Sequence, residues 1–155
     1  MINKLGGTTM FIKQLSVFLE NNPGTLRAMT ELLGRGGIDM LALSIADTQS
    51  FGIVRTIINS SQIDDAVTLL KENGYISKVN HVICASVPDR PLGLTELLSV
   101  IEESKLSVEY MYSFLRAAEK GTARMILRLD DGKKAEQVFE EHRIKMLSQA
   151  EVDKM

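Results

Sequence analysis

Most of this chain can be laid over itself. Pro23 and Leu26 recur as Pro91 and Leu94, and Ile38 as Leu106, all at one constant offset. Gly52, Arg55, Ile57 and Ala66 recur as Gly121, Arg124, Ile126 and Ala135 at an offset larger by one, so the second copy carries a single insertion between its paired strands. An internal repeat limits the fold to a unit that is built twice.

Within the first copy, Phe11 to Glu20 alternates with the period of a strand. Helical spacing follows from Pro23, with Leu26, Met29, Leu32 and Leu33 on one face, and Gly34-Arg35-Gly36-Gly37 ends that helix. Ile38 to Ala46 and Phe51 to Asn59 read as two strands joined by the polar turn Asp47 to Ser50, which makes a hairpin. Ser60 or Ser61 is the expected cap of a second helix with Ile63, Ala66, Val67 and Leu70 inward, and Asn73-Gly74 closes it. A strand-like run then extends from Tyr75 through Val87. The second copy repeats the order: strand 79–87, helix 91–103, strands 106–114 and 122–129, helix 132–142 and a last strand 144–152. Strand, helix, strand, strand, helix, strand is the ferredoxin-like arrangement. The expected fold class is α+β, with two βαββαβ domains, each an antiparallel sheet carrying its helices on one face. We divide the chain into a leader over 1–10, a first domain over 11–80 and a second over 81–155. Met10 is an alternative start. The last strand of copy one and the first of copy two overlap at Val79 to Ile83, which leaves no linker.

Charge and cysteine usage narrow the function. Lys and Arg total 18 against 20 Asp and Glu, a net charge of −2, so there is no basic surplus for a nucleic-acid backbone. Cys84 is the single cysteine, which allows no internal disulfide and fits a reducing compartment. No apolar run is long enough to span a bilayer. These features lead us to expect a cytoplasmic protein without a membrane or nucleic-acid partner.

Asn21-Asn22-Pro23-Gly24-Thr25-Leu26 carries the chemistry we single out. Pro23 suits the first position of a helix and Asn22 its cap. Gly24 leaves the backbone open to close approach, and the backbone demands of a helix start are mild. A helix N-terminus reached directly from a strand carries free N–H groups and partial positive charge, which suits a carboxylate or phosphate. The competing reading is a good strand-to-helix turn with no ligand. The recurrence at Asp89-Arg90-Pro91-Leu92-Gly93-Leu94 favours the binding reading. There, however, Leu92 takes the place of Gly24 and would crowd the gap, so the second site is expected to be degenerate.

With these motifs, the chain resembles the ACT domain family, the small-molecule-sensing modules attached to many enzymes of amino-acid metabolism. Asn21 to Leu26 match its turn, Gly36-Gly37 its glycine turn and Asp39 its polar strand start, and both copies are covered from about Phe11 to Val152. The whole is similar to stand-alone pairs of fused ACT domains. The resemblance implies that such domains pair side by side and hold an amino acid or similar small carboxylate effector between their strand-to-helix turns; here we expect the two copies to form an internal pseudo-dimer and the chain to form a homodimer. The Asn21 or Asn22 side chain and Asp39 are candidate acceptors for its ammonium.

A catalytic reading has little to work with. His81 and His142 do not fall at equivalent places in the repeat, and Cys84 sits among apolar neighbours as a structural thiol would. We expect neither a metal nor a cofactor. Arg55 and Arg124 recur at one repeat position on one sheet face, and Tyr110 and Tyr112 read as strand packing. The expected function is a non-catalytic regulatory protein that binds an amino acid and couples to an enzyme of amino-acid metabolism. The alternative is a regulatory subunit of a biosynthetic enzyme such as acetolactate synthase, or a small interface enzyme.

Overall fold

In the computed structural model, residues 9–47, 50–116 and 118–155 are described. Most of the expected leader, the centre of the first hairpin turn at Thr48-Gln49, and Ala117 of the second turn lie outside the described residues. The elements are β1 (Phe11–Glu20), α1 (Thr25–Arg35), β2 (Ala42–Asp47), β3 (Phe51–Ile57), a 3-10 turn (Ser60–Gln62), α2 (Ile63–Glu72) and β4 (Ile76–Pro88). They continue as α3 (Gly93–Glu103), β5 (Val108–Ser113), β6 (Thr122–Leu129), α4 (Gly132–Glu141) and α5 (Gln149–Asp153). No helix of the described residues is long and apolar enough to cross a membrane.

The chain forms two compact units. The amino-terminal one takes Lys13–Asn80, and the carboxy-terminal one takes His81–Lys154 with residues 9–12, so the division falls inside β4. In the first unit the strands run in the order β2, β3, β1, β4. Antiparallel register sets Val17 opposite Val54 and Leu19 opposite Gly52, while Ile45 of β2 lies opposite Val54. Leu15, Val17, Leu19 and Val54 face α1 and α2, where Met29, Leu33, Ala66 and Leu70 meet them. Each such aliphatic side chain taken from water stabilises the unit by roughly 1.5–3 kcal/mol. The opposite face of β1 carries a polar chain: buried Gln14 donates to Ser16 Oγ, which donates to Asn80 Oδ1 at 2.8 Å.

The second unit repeats this plan with β4, β6 and β5 in order. Ile83 pairs with Leu127 and Ala85 with Met125, and both rows pack on Leu97, Ile101, Val138 and Phe139 of α3 and α4. Met10 and Phe11 join this core, and the Met10 N–H donates to Glu136 Oε1 at 2.6 Å. Arg55, opposite Ser16, and Arg124, opposite Ser86, occupy one repeat position on the face away from the helices and are half-buried. Tyr110 and Tyr112 stack at 6.5 Å, with Tyr112 buried.

Three expectations need correction. Ile144 to Val152 does not form a strand. A single antiparallel bridge joins Met146 to Ala85, with Ser86 donating to the Lys145 carbonyl and Leu147 to that of Cys84, and the chain then enters α5. The cause is a capping box: Ser148 Oγ accepts the Glu151 N–H, and a Glu151 carboxylate oxygen accepts the Ser148 N–H. Secondly, β2 begins at Ala42 and not at Ile38, because the Ile38 N–H closes the end of α1 on the Leu33 carbonyl. Thirdly, Asn59, not Ser60 or Ser61, caps the turn before α2 by accepting from the Ser61 N–H.

Three reversals of the first copy use a left-handed glycine, and the second copy keeps each reversal without the glycine. Gly24, Gly37 and Gly74 have φ of 86°, 74° and 82°; their counterparts Leu92, Lys105 and Arg143 have φ of 67°, 55° and 54°. A side chain in this region is disfavoured by roughly 1–2 kcal/mol, because Cβ crowds the following carbonyl. Leu92→Gly and Lys105→Gly should each therefore raise stability, by about 0.5–1 kcal/mol once the freer unfolded chain is allowed for. Chemical denaturation of the two variants against the parent checks this. At the carboxyl end, the Ser148 N–H holds the Glu151 carboxyl below its ordinary value. A lowered carboxyl contributes stability above its unfolded pKa and loses it as pH falls through the folded one. Glu151 is exposed, so solvent screens the contribution and the effect is confined to α5. The protection of the Val152 amide against exchange, relative to an unstructured chain at the same pH, should fall as acid protonates Glu151, and Ser148→Ala should lower it in the same way at neutral pH.

Candidate functional site

β1 leaves the first sheet at Glu20 and α1 begins at Thr25. The turn is held by the Asn22 carbonyl, which accepts from both the N–H and the hydroxyl of Thr25, at 3.3 and 2.9 Å. Thr25 Oγ1 also reaches the Glu20 carbonyl at 2.8 Å. Asn22 is therefore not the side-chain cap that its position suggests. Its amide donates to Glu20 Oε2, and that of Asn21 to Asp47 Oδ1 at 3.0 Å. The residue at the cap position is Gly24, with no side-chain hydrogen bond onto the helix. An added Cβ at Gly24 meets nothing within 4 Å, so this glycine supplies a backbone angle and not clearance. A side chain there is strained whatever the space around it.

The result is an uncapped helix start. No acceptor among the described residues takes the N–H groups of Leu26 and Arg27, whereas α4 and α5 are capped by Asp131 and Ser148. Beside this start lies a cavity of about 480 Å³ bounded by the end of β1, Pro23 to Thr25, and Gly74-Tyr75 after α2. Of the expected site residues it gathers Pro23, Gly24 and Thr25. Asn21 and Asn22 flank it as described, Leu26 packs on the core, and exposed Asp39 lies outside its lining. Glu20, Phe18 and Tyr75 also line it, and no sequence motif marks them as site residues. Glu20 is the one charged residue among the described residues of the lining, and Tyr75 stands directly after the glycine that ends α2.

An equivalent cavity of about 530 Å³ occupies the carboxy-terminal unit, between the end of β4, the start of α3 and the segment after α4. Thr25 is replaced here by Gly93, at which a methyl group would collide with the Pro88 carbonyl oxygen. Leu92 does not obstruct this cavity. Its side chain is 69% exposed and it adopts the left-handed angle of Gly24. Asp89 is tied to the hairpin through its N–H on the Gly121 carbonyl, exposed Pro91 lies outside the lining, and Leu94 packs on the core. Arg90 binds Glu96 at 2.7 Å.

Cys84 and His81 line neither of these two cavities, whereas His142 lines the second. Burial pushes the Cys84 thiol up to about 12, against the opposing pull of the Arg124 charge, so at neutral pH it is a protonated core side chain. The His142 ring is held through Nδ1 at 2.9 Å from the Val138 carbonyl, and His81 is exposed. Among the described residues, no three His, Cys, Asp or Glu side chains are grouped to hold a metal ion.

This twofold plan is found in known proteins. The sequence matches the ACT domain pair family over residues 10–155. Comparison with curated proteins returns no match. Among solved structures, protein BT0572 from Bacteroides thetaiotaomicron superposes with a TM-score of 0.84 at 33% identity, covering 95% of this chain and 99% of that one. The ligand-free regulatory subunit of aspartate kinase from Thermus thermophilus superposes with a TM-score of 0.60 at 13% identity, over 83% of this chain and 91% of its own. The corresponding subunit from Thermus flavus gives 0.58 at 12%, over 83% and 90%. The aspartate kinase subunits share the fold, and the Bacteroides protein shares fold and sequence. With two repeated units, two equivalent strand-to-helix turns and a family match that spans both, this chain belongs to the ACT domain pair family.

Proposed function

We propose that the protein is a non-catalytic regulatory module that binds an amino acid, or a closely related small carboxylate, at the strand-to-helix turn of its amino-terminal unit. The observation that carries this reading is the uncapped start of α1 beside a cavity of suitable size. The ligand carboxylate sits on the N–H groups of Leu26 and Arg27, where partial positive charge and unused donors coincide. We assign its ammonium to Glu20, a residue of the cavity lining whose carboxylate already receives the Asn22 amide. Phe18 and Tyr75 give its side chain an apolar and aromatic wall. Asp39 is left a secondary role at most, since it lies outside the lining.

Binding of this kind has an effect only through something coupled to it. In the reading proposed here, the ligand changes how the ACT pair associates with an enzyme of amino-acid metabolism, or with a second copy of itself as a homodimer, in the cytoplasm. A coupling of about 1–3 kcal/mol is ordinary for such a switch. The degenerate second site of the sequence reading becomes a differently charged one, because the second cavity is open but lacks a counterpart of Glu20.

Thermal melting in the presence of each of the twenty amino acids provides the test. The correct ligand at 100 times its dissociation constant should stabilise the protein by about 2.7 kcal/mol. Glu20→Gln keeps an acceptor for Asn22 but removes the charge, and should weaken an amino-acid ligand at least tenfold while leaving the unliganded melting temperature unchanged. The proposal fails if no amino acid or small carboxylate stabilises the protein, or if Glu20→Gln binds the best ligand undiminished.

A further inference from the structure

We propose that the cavity of the carboxy-terminal unit is a second, chemically distinct site for a small organic dianion, held by Arg143 and Lys145. This inference does not depend on the amino-acid reading of the first unit. Two observations point to it.

The first is charge. Arg143 and Lys145 both line the cavity, together with His142. Among the described residues of the lining, the one acid is Glu96, which the Arg90 guanidinium meets at 2.7 Å. Among the described residues, the lining of its counterpart in the first unit holds no cation and one acidic residue, Glu20. Equivalent cavities of nearly equal volume thus carry opposite charge. Val87, Leu97 and Val100 supply an apolar wall, which suits a ligand with a short hydrocarbon body. Two cations at alternate positions of one segment match two negative charges on one small molecule, carried either by a pair of carboxylates or by one phosphate ester.

The second observation is the backbone at Arg143, which turns left-handed at φ 54° where the first unit has Gly74 at 82°. Hydrogen bonds from the Arg143 N–H to the Glu140 carbonyl and from the Ile144 N–H to the Phe139 carbonyl fix the turn. Such a turn forms more readily with glycine. A long cation held in a disfavoured conformation at the rim of a cavity is the kind of outlier from which a functional role is inferred. It is also the kind that a single substitution can separate from folding.

The test uses the full chain at low salt, titrated with succinate, with glycerol phosphate, and with acetate as the monoanion control. Amide signals of Val87, Gly93 and Ile144 report the site. Succinate or glycerol phosphate should shift them saturably, with acetate at least tenfold weaker, and the better of the two identifies a dicarboxylate or a phosphate ester. Arg143→Gly should raise the melting temperature of the free protein and yet weaken the dianion at least tenfold. Lys145→Met should weaken it similarly without a change in melting. The proposal is overturned if neither dianion gives a saturable shift, if acetate binds as well as they do, or if Arg143→Gly binds with unchanged affinity, whether its melting temperature rises or falls.

Discussion

The left-handed residue at each of these chain reversals is the constraint on which the fold depends. β1 must become α1 within the short turn between Glu20 and Thr25, and the helix must then lie back over the sheet it has just left. A run of ordinary right-handed or extended angles would carry the chain onward. One residue at φ 86° in Gly24, or 67° in Leu92, redirects it. The same device ends α1 and α2 at Gly37 and Gly74, and α3 and α4 at Lys105 and Arg143. Once these reversals are set, the alternation of Leu15, Val17 and Leu19 determines which face the helices cover. Packing supplies most of the stability, but the turns decide which packing is reached.

Because two left-handed turns bound each cavity, the backbone keeps its outline while the side chains around it differ. Glu20 in one unit answers to Pro88 in the other, Ala28 to Glu96, and Gly74 to Arg143. None of these exchanges disturbs the core, since the positions stand at or near element ends and not on the buried faces. A duplicated unit can therefore hold its fold with little drift while its two cavities come to differ in charge. The angle at Leu92 shows how strongly the turn is required: the glycine is gone, yet φ stays left-handed at 67°, against 86° at Gly24.

Much of this plan is legible in the sequence, because it rests on periodicity and on local turn chemistry. The constant offset locates both copies, and alternation and helical spacing locate the strands and helices of the first. What misleads is information held in backbone angles and in three-dimensional proximity. Asn22 has the chemistry of a cap, but its carbonyl is taken by Thr25 and its amide by Glu20. Gly24 suggests clearance in the sequence, whereas its φ shows that it serves conformation. Apolar residues between Ile144 and Val152 imply a strand, although Ser148 and Glu151 stand at capping-box spacing within them. Tyr75 and Arg143 are invisible in the sequence as cavity-lining residues because they reach the turn from the far end of each copy, and only the fold places them beside it.

The two units close the same turn by different physical means, and this bears on which turn can respond to a ligand. In the first, Thr25 ties the turn together with its hydroxyl, shared between the carbonyls of Glu20 and Asn22. A neutral hydrogen bond of this kind contributes about 1 kcal/mol net, so it can be exchanged for a bond to a bound molecule at little loss. In the second, Gly93 brings helix and strand so close that even a methyl group would strike the Pro88 carbonyl oxygen. Contact between backbones offers no group that a ligand could displace. The first turn can therefore change its bonding partners when its cavity fills, while the second stays as it is and any ligand must adapt to it. If the protein senses a ligand as proposed above, it needs an element whose equilibrium that ligand can bias, and the turn closed by Thr25 is the one whose bonding can be exchanged.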